Sequence, residues 1–211
     1  MVRQFWLEKL KRAKDSFAVC VDCAFEDQMT KKEIHSLGLQ LRYCYASNKR
    51  SSHPIQLSMA SLSGETRSVL DKVDGFPEQW EARAFSHSDQ SLEKMYASQK
   101  DQLVYLTSDS EHTLTTMDKD KTYVIGGIVD RNRLKRAALG RAETLGIATA
   151  KLPISQHLEL VTTKVLTCNH VFEILLKVNE NGGNWKQAML DVLPHRKEAK
   201  PKNELGNVDD E

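Results

Sequence analysis

Short, unbroken apolar runs recur along the chain and predict buried strands. Four of them lie at 17–25, 103–106, 123–129 and 147–152, and HPIQLSMAS at 53–61 contains a fifth, shorter one. Strands of a parallel sheet are covered on both faces, so they read as continuous hydrophobic runs instead of alternating ones. The pattern therefore predicts a mostly parallel sheet.

Helical periodicity fills the intervals between these runs. Thr30 and Glu33 form a capping box ahead of apolar positions at helical spacing, and this helix is predicted to end near Asn48. Three more helices are predicted at 134–145 before Gly146, at 165–176 before Gly182 and Gly183, and at 185–193 before Pro194. Between 61 and 99 glycine and proline interrupt the pattern, and only 80–85 and 92–96 look helical. Alternating strands and helices predict the α/β class, with helices flanking the sheet.

Composition favours one domain with two appendages. A chain of 211 residues with 40% hydrophobic content can bury a full core. We expect a basic amino-terminal helix or remnant of an extension at 1–16, a domain at 17–198, and a disordered acidic tail at 199–211. The net charge is only +1, yet residues 131–141 contain five basic residues and no acid. A basic strip and an acidic tail are thus separated along the chain.

Several classes of protein are unsupported by the sequence. No apolar run approaches a membrane span, and the amino terminus lacks a signal segment, so we expect an intracellular protein, cytoplasmic and/or nuclear. Cys20 and Cys23 form a C-x-x-C motif, but in a strand their side chains would point to opposite faces, which favours core thiols over redox or zinc chemistry. The chain lacks dinucleotide, phosphate-loop and nucleophile-elbow motifs, and its histidines show no metal-ligand spacing, so we predict no metal.

The stretch YVIGGIVDRNRLKR at 123–136 is the main candidate for a site. It runs from a buried strand through Gly126 and Gly127 to Asp130 and into a cationic run. A carboxylate at the carboxyl end of a strand, beside basic residues, suits chemistry on a polyanion. The alternative is structural: Asp130 would cap a helix or form a turn, and the glycines would permit a bulge or close strand packing.

Four ordered motifs resemble a known family. VYLTSDS at 104–110, YVIGGIVD at 123–130, AKLPI at 150–154 and KVLTCNHVFEIL at 164–175 resemble the tRNA purine-9 N1-methyltransferase family of the SPOUT superfamily. The resemblance covers residues 17–195 and includes HPIQ at 53–56 and NWKQA at 184–188. Each motif alone is weak, but four in order are specific.

The resemblance implies a SPOUT-type sheet with a deep carboxyl-terminal trefoil knot, an exception to the rule against threaded chains. It also implies S-adenosyl-L-methionine as methyl donor, with S-adenosyl-L-homocysteine as product. The donor would be held largely by loop backbone. The implied donor-binding residues are Leu106, Thr107, Gly126, Asp130, Arg131, Asn132, Arg133, Leu134, Ala138, Leu152, Lys164, Val165 and Leu166.

The family's proposed general base corresponds to Asp130. Guanine N1 carries a proton at neutral pH, and a carboxylate within hydrogen-bond reach could accept it. Adenine N1 has a free lone pair, so an adenine-modifying enzyme needs positioning more than proton removal. Both specificities occur in the family, and an intact Asp130 fits guanine, or both bases.

Binding of tRNA requires clustered cations and extrusion of a stacked base. The predicted substrate-binding residues are Gln56, Asn169, Arg133, Lys135, Arg136, Lys49 and Arg50, with a further basic cluster of Lys9, Lys11, Arg12 and Lys14. The resemblance implies a monomer without metal or membrane. The near-neutral charge suggests that a basic extension typical of the family lies outside these 211 residues. Two alternatives remain open: a non-catalytic RNA-binding subunit of an RNA-processing complex, and an α/β enzyme acting on a small anionic metabolite.

Overall fold

A six-stranded parallel sheet forms the centre of the protein. The computed structural model describes residues 2–130, 133–134, 136–159, 166–193 and 200–201. The strands of the sheet are β1 (Ala18–Asp22), β2 (Gln56–Ala60), β3 (Phe85–His87), β4 (Leu103–Leu106), β5 (Thr122–Gly126) and β6 (Ala148–Ala150). Their order is β3-β2-β1-β5-β4-β6, and every neighbouring pair is parallel. The predicted α/β class with a mostly parallel sheet is confirmed.

Helices connect these strands and cover both faces of the sheet. They are α1 (Val2–Lys14), α2 (Lys31–Arg50), α3 (Gly64–Leu70), α4 (Glu78–Glu81), α5 (Leu92–Met95), α6 (Ala137–Leu145), α7 (Ile154–His157), α8 (Cys168–Glu180) and α9 (Trp185–Val192). Two short 3₁₀ helices lie at Glu26–Gln28 and Lys100–Gln102. A second, two-stranded antiparallel sheet pairs β7 (Leu158–Glu159) with β8 (Lys200–Pro201).

Local signals set the helix ends where the sequence predicts them. The Thr30 side chain accepts a hydrogen bond from the Glu33 N–H, and the Glu33 carboxylate accepts one from the Thr30 N–H, which completes the predicted capping box of α2. Gly146 ends α6 in the left-handed conformation, with φ 63°, as a residue without a Cβ readily does. Asn184 caps α9 through the Gln187 N–H.

Several predicted elements are shorter than expected. The runs at 17–25 and 147–152 form strands only over Ala18–Asp22 and Ala148–Ala150, and two further elements are shortened next to each other in the chain. The strand predicted at 123–129 ends at Gly126, because the chain turns there: the Ile128 N–H donates back to the Gly126 carbonyl at 2.9 Å. The helix predicted to start at 134 begins at Ala137, because residues 133 and 134 turn back through hydrogen bonds to Asp130. Both differences lie in the segment between β5 and α6.

Two elements between β2 and β4, α3 and β3, differ from the prediction. Helix α3 was missed, since its exposed N–H groups are satisfied from outside by the Glu26 carboxylate, 2.8 Å from both the Glu65 and Thr66 nitrogens. The helix predicted at 80–85 is wrong after Glu81, where α4 ends. Phe85 starts β3 instead, because its backbone pairs with Leu57 of β2.

The sheet separates two hydrophobic clusters. Cys23 belongs to the larger cluster, with α2 and α8, whereas Cys20 belongs to the smaller one, with α6. The two thiols of the C-x-x-C motif therefore face opposite sides, as strand geometry predicts. Burial raises the pKa of Cys20 to about 12 and that of Cys23 well above its usual value, so both are poor nucleophiles. The core-thiol interpretation is supported.

Two expectations reach beyond the described residues. The knot is predicted in the carboxyl-terminal half, where residues 160–165 lie outside the described residues, and so do residues 202–211, most of the predicted acidic tail. In the part of the chain that the structure covers, no helix combines the length and apolarity needed to cross a bilayer.

Candidate functional site

A pocket of about 520 Å³ opens at the carboxyl ends of β4, β5 and β6. In parallel sheets, loops leaving the carboxyl ends of neighbouring strands meet at one edge and form the usual ligand crevice. The segments after β4, after β5 and after β6 form its walls, together with the starts of α6 and α8. The lining residues are Leu106, Thr107, Ser108, Asp109, Ile125, Gly126, Ile128, Asp130, Leu134, Arg136, Ala137, Ala138, Lys151, Leu152, Ile154, Ser155, Leu166, Cys168 and Val171.

The glycine pair shapes the wall formed by β5. The Gly127 N–H donates to the Asp22 carbonyl at 2.9 Å, so the backbone after β5 lies directly against the end of β1. A Cβ at Gly127 would stand 3.0 Å from that carbonyl oxygen and 3.4 Å from the Cα of Cys23. Only glycine fits this approach without a backbone shift. At Gly126 a Cβ would meet its neighbours at ordinary distances of 3.5 Å or more.

The Asp130 carboxylate lies in the pocket wall and holds the segment that follows it. Its Oδ2 accepts the Leu134 N–H at 2.5 Å, and its carbonyl oxygen accepts the Arg133 N–H at 3.1 Å. Asp130 thus forms a turn, as the structural alternative to a catalytic role predicts. Asp130 also lines the cavity. A carboxylate that holds the Leu134 N–H can also line a cavity, because its two oxygens offer several acceptor positions.

A buried ion pair beside the pocket was missed by sequence reasoning. Asp22, the last residue of β1, is fully buried and pairs with the Arg141 guanidinium of α6 through both carboxylate oxygens. Neutral donors complete its surroundings: the Tyr105 hydroxyl at 3.2 Å and the Ser61 hydroxyl and Ala24 N–H at 3.3 Å each. Because α6 carries Ala137 and Ala138 in the pocket wall, this pair fixes one wall to the sheet.

Burial and the Asp22 charge shift the pKa values of Tyr105 and Arg141, the two side chains that contact the Asp22 carboxylate. Burial raises the pKa of the Tyr105 phenol well above its usual value, and the Asp22 charge adds to the effect. Burial alone would lower the pKa of Arg141, but its hydrogen bond to Asp22 and the Asp22 charge outweigh burial and raise it. Tyr105 therefore stays a neutral donor and Arg141 a cation across the physiological range.

A second side chain missed from the sequence positions the start of α8. The buried Gln40 of α2 accepts the Cys168 N–H at 3.0 Å through its side-chain oxygen. Thr167, which precedes the helix, makes no side-chain capping bond to it. Gln40 therefore satisfies one of the open N–H groups at this helix end from a neighbouring element. Its amide nitrogen is in turn held by Ser36.

The structure brings most of the described donor-binding candidates together. Leu106, Thr107, Gly126, Asp130, Leu134, Ala138, Leu152 and Leu166 all line the pocket. The remaining candidates Arg131, Asn132, Lys164 and Val165, and Lys135 among the substrate candidates, lie outside the described residues. Arg133 does not line the pocket; its guanidinium reaches the Gln28 carbonyl at 2.9 Å and the Glu33 carboxylate at 3.3 Å.

The substrate-binding candidates are dispersed. Arg136 lines the pocket, and Asn169 lies one residue beyond Cys168, with its Oδ1 accepting the Thr167 hydroxyl at 2.8 Å. Gln56 starts β2 and therefore lies at the amino-terminal edge of the sheet, opposite the pocket. Lys49 and Arg50 end α2 at that same far end, where the Lys9 ammonium donates to the Lys49 carbonyl at 3.1 Å.

Other lining residues carried weaker signals in the sequence. Lys151 stands inside the AKLPI motif, and Ser108 and Asp109 stand inside VYLTSDS, so the motifs themselves indicated them. Cys168 and Val171 follow from the amphipathic pattern of α8 only once its start is known. Within the described residues, no group of three or more His, Cys, Asp or Glu side chains could hold a metal ion.

Comparison with known proteins points to one family. Residues 2–198 match the family model described as tRNA (guanine(9)-N(1))-methyltransferase TRM10/TRM10A. The chain is 39% identical over 188 residues to the tRNA (guanine(9)-N1)-methyltransferase of Schizosaccharomyces pombe, and the matched region covers 89% of this chain and 61% of that protein. It is 41% identical over 187 residues to tRNA methyltransferase 10 homolog A of Xenopus tropicalis, covering 88% and 54%.

The fold agrees with a solved relative. The crystal structure of full-length spTrm10 in complex with SAH superposes with a TM-score of 0.78 at 39% identity, and the match covers 85% of this chain and 96% of that chain. The chain spans 54% to 61% of the length of the two curated relatives.

Proposed function

Because the chain belongs to the tRNA (guanine(9)-N(1))-methyltransferase TRM10/TRM10A family, we propose that it transfers a methyl group to N1 of the purine at position 9 of tRNA. Guanine is the expected base, and adenine is a possible second one. The observation that carries the proposal is the pocket at the ends of β4, β5 and β6, which contains Asp130 in its wall. The finer expectation of a trefoil knot in the carboxyl-terminal half is part of the same proposal.

The pocket fits S-adenosyl-L-methionine in size and character. Its volume of about 520 Å³ lies within the range typical of cofactor sites, and its lining combines apolar residues with polar ones such as Thr107, Ser108 and Lys151. Leu106, Leu152 and Leu166 would contact the adenosine part, and the backbone beside Gly126 would leave room for it. When bound, S-adenosyl-L-methionine supplies an electrophilic methyl group on a sulfonium.

Asp130 is proposed to accept the guanine N1 proton as the N1–methyl bond forms. Its Oδ2 already accepts the Leu134 N–H, which fixes the direction of the carboxylate relative to the pocket. A base fixed in this way loses little entropy when the nucleobase arrives. The bond between the methyl group and the sulfonium would break as the N1–methyl bond forms, which would leave S-adenosyl-L-homocysteine, while the guanine N1 proton would pass to the Asp130 carboxylate.

Two arginines at or beside the pocket support an RNA substrate. Arg136 lines the pocket, and Arg133 stands beside it on the loop between β5 and α6. Both guanidinium groups can neutralise phosphates that flank an extruded nucleotide. The proposal includes a monomer that needs no metal and acts in the cytoplasm or nucleus; the four described cysteines, all buried and free, agree with a reducing compartment.

One assay tests the proposal directly. The protein is incubated with labelled S-adenosyl-L-methionine and a pool of tRNA transcripts, and the labelled nucleotide is mapped. We expect label on N1 of guanine 9. Label on another nucleotide, or no transfer although the methyl donor binds, would reject the assignment; transfer to a small anionic metabolite without RNA would favour the alternative enzyme class.

A further inference from the structure

The exposed face of α2 carries basic residues and no acid. Of the 20 residues in this helix, the exposed ones are Lys31, Lys32, His35, Leu39, Arg42, Tyr43, Lys49 and Arg50. The single acid of the helix, Glu33, is engaged in the capping box and with Arg133. A solvated helix usually mixes charges of both signs along its outer face. This face instead accumulates like charge, which costs free energy unless an anion binds there.

Two large apolar side chains interrupt the cations at the middle of the helix. Leu39 is 42% exposed and Tyr43 is 49% exposed, one helical turn apart. Tyrosine is enriched at interfaces because its ring packs while its hydroxyl donates a hydrogen bond. In RNA interfaces the ring stacks on bases or riboses and the hydroxyl reaches phosphate oxygens.

The helix joins the pocket to a second basic region. Its first turn touches the pocket-side loop through Glu33 and Arg133, which are 3.3 Å apart. Its last turn meets α1, where Lys9 donates to the Lys49 carbonyl and Arg12 donates to the Ser52 carbonyl, each at 3.1 Å. Twenty residues of α-helix span about 30 Å. The clusters at Lys9–Arg12 and at Lys49, separate in sequence, thus form one surface at the far end.

We propose that this face of α2, continued by Lys9 and Arg12 of α1, binds the phosphate backbone of the RNA substrate over about 30 Å beyond the reacting nucleotide. A polyanion that reaches the mouth beside Arg133 lies next to the start of α2, so RNA fits better than an acidic protein partner. The proposal rests on the proposed function for the identity of the RNA. At one border Glu173 and Glu180 of α8 limit the surface, where they accept hydrogen bonds from the Ser47 and Ser51 hydroxyls.

The test compares two variants with equal change of charge. Arg42→Glu/Lys49→Glu alters the proposed surface, and Lys94→Glu/Lys119→Glu alters exposed lysines on α5 and the β4–β5 connection. The dissociation constant for unmodified tRNA transcript is measured over a series of salt concentrations. We expect the α2 variant to bind at least about tenfold more weakly, and its slope of log K against log salt to fall by about two, one for each lost phosphate contact. The control variant should change neither quantity by more than about twofold.

Further measurements separate the possible outcomes. Calorimetry with S-adenosyl-L-homocysteine checks that each variant keeps its pocket, and Arg42→Ala/Lys49→Ala replaces the charge reversal where that pair disturbs folding. Tyr43→Ala should weaken tRNA binding while the salt slope stays unchanged. Unchanged affinity and slope in the α2 variants, or competition by polyglutamate as effective as that by tRNA, would overturn the RNA assignment.

Failure of this proposal is distinguishable from failure of the proposed function. If wild-type protein methylates guanine 9 but the α2 variants bind tRNA normally, the enzyme assignment stands and the α2 surface is rejected. If the α2 variants lose tRNA binding while wild-type protein transfers no methyl group, the surface stands and catalysis is rejected. Absence of any tRNA binding by the wild type at low salt would overturn the α2 proposal as well.

Discussion

Removal of the Arg141 side chain should destabilise the protein far more than removal of an exposed arginine. Arg141→Met keeps the length and the apolar stem of the side chain but takes the guanidinium from Asp22. Asp22 is fully buried, so the carboxylate would be left inside the protein without a counter-charge. Breaking a buried pair in this way typically costs about 3 to 5 kcal/mol.

The structure places the expected cost near the lower end of that range. Three neutral donors, on Tyr105, Ser61 and Ala24, remain 3.2 to 3.3 Å from the carboxylate and partly solvate it. We therefore expect a loss of about 3 kcal/mol in the free energy of unfolding. For a chain of this size, that loss corresponds to a fall of about 6 to 12 °C in melting temperature.

Urea unfolding followed by tryptophan fluorescence measures the effect, and the chain offers a matched control. Arg67 forms an exposed pair with Asp71, whose side chains are 34% and 47% exposed. Arg67→Met should cost less than about 1 kcal/mol, since water screens such a pair. The comparison keeps the substitution constant and contrasts a fully buried carboxylate partner with an exposed one.

A double variant isolates the charge interaction. Asp22→Asn/Arg141→Met removes both charges, so it should recover at least about 1 kcal/mol relative to Arg141→Met alone. An Arg141→Met protein within about 0.5 kcal/mol of the wild type, or single effects that simply add in the double variant, would refute the assigned role of the pair.

Three other variants test separate parts of the site. Asp130→Asn keeps an oxygen that can accept the Leu134 N–H but removes the proposed base. Guanine methylation should therefore fall by about 100-fold or more, while the affinity for S-adenosyl-L-homocysteine stays unchanged. A pH–rate profile identical to that of the wild type would remove Asp130 from the base role. Gly127→Ala should lower the free energy of unfolding by about 1 to 3 kcal/mol, because the new Cβ would stand 3.0 Å from the Asp22 carbonyl. Gly126→Ala should lower it clearly less in the same urea assay. Equal losses in the two variants would contradict the close approach at Gly127. Burial tends to raise the pKa of Glu26, but hydrogen bonds from Thr66 and Glu65 outweigh burial and lower that pKa. The carboxylate therefore stabilises the fold above its unfolded pKa of about 4.5, and this contribution is lost as pH falls through the lower folded value. Glu26→Gln should reduce the loss of stability in acid, and acid unfolding curves identical to those of the wild type would argue against the cap.

The elements that sequence reasoning recovered are those defined by local signals. The run at 103–106 coincides with β4, and the capping box places the start of α2 at the predicted residue. Both depend on residues that are neighbours in the chain. The donor-binding candidates at the carboxyl ends of β4, β5 and β6 also meet, because parallel strands bring those ends to one edge.

The elements that it missed depend on contacts between distant residues. Asp22 and Arg141 are 119 positions apart, and Asp22 read as one polar residue in an apolar run. Helix α3 is capped by Glu26, about 40 residues earlier, so its own sequence carries a weaker start signal. Periodicity within a segment contains no information about such partners.

Asp22 contacts two walls of the pocket, the segment after β5 and helix α6. Its carbonyl accepts the Gly127 N–H and sets the path of the segment after β5, while its carboxylate holds Arg141 and thereby α6. Asp130 spans the short connection between these walls through Leu134. A shift of the backbone at Asp22 would therefore move both walls together. Gly127→Ala and Arg141→Met should for this reason be non-additive in their effect on S-adenosyl-L-homocysteine affinity, although their side chains lie on different elements.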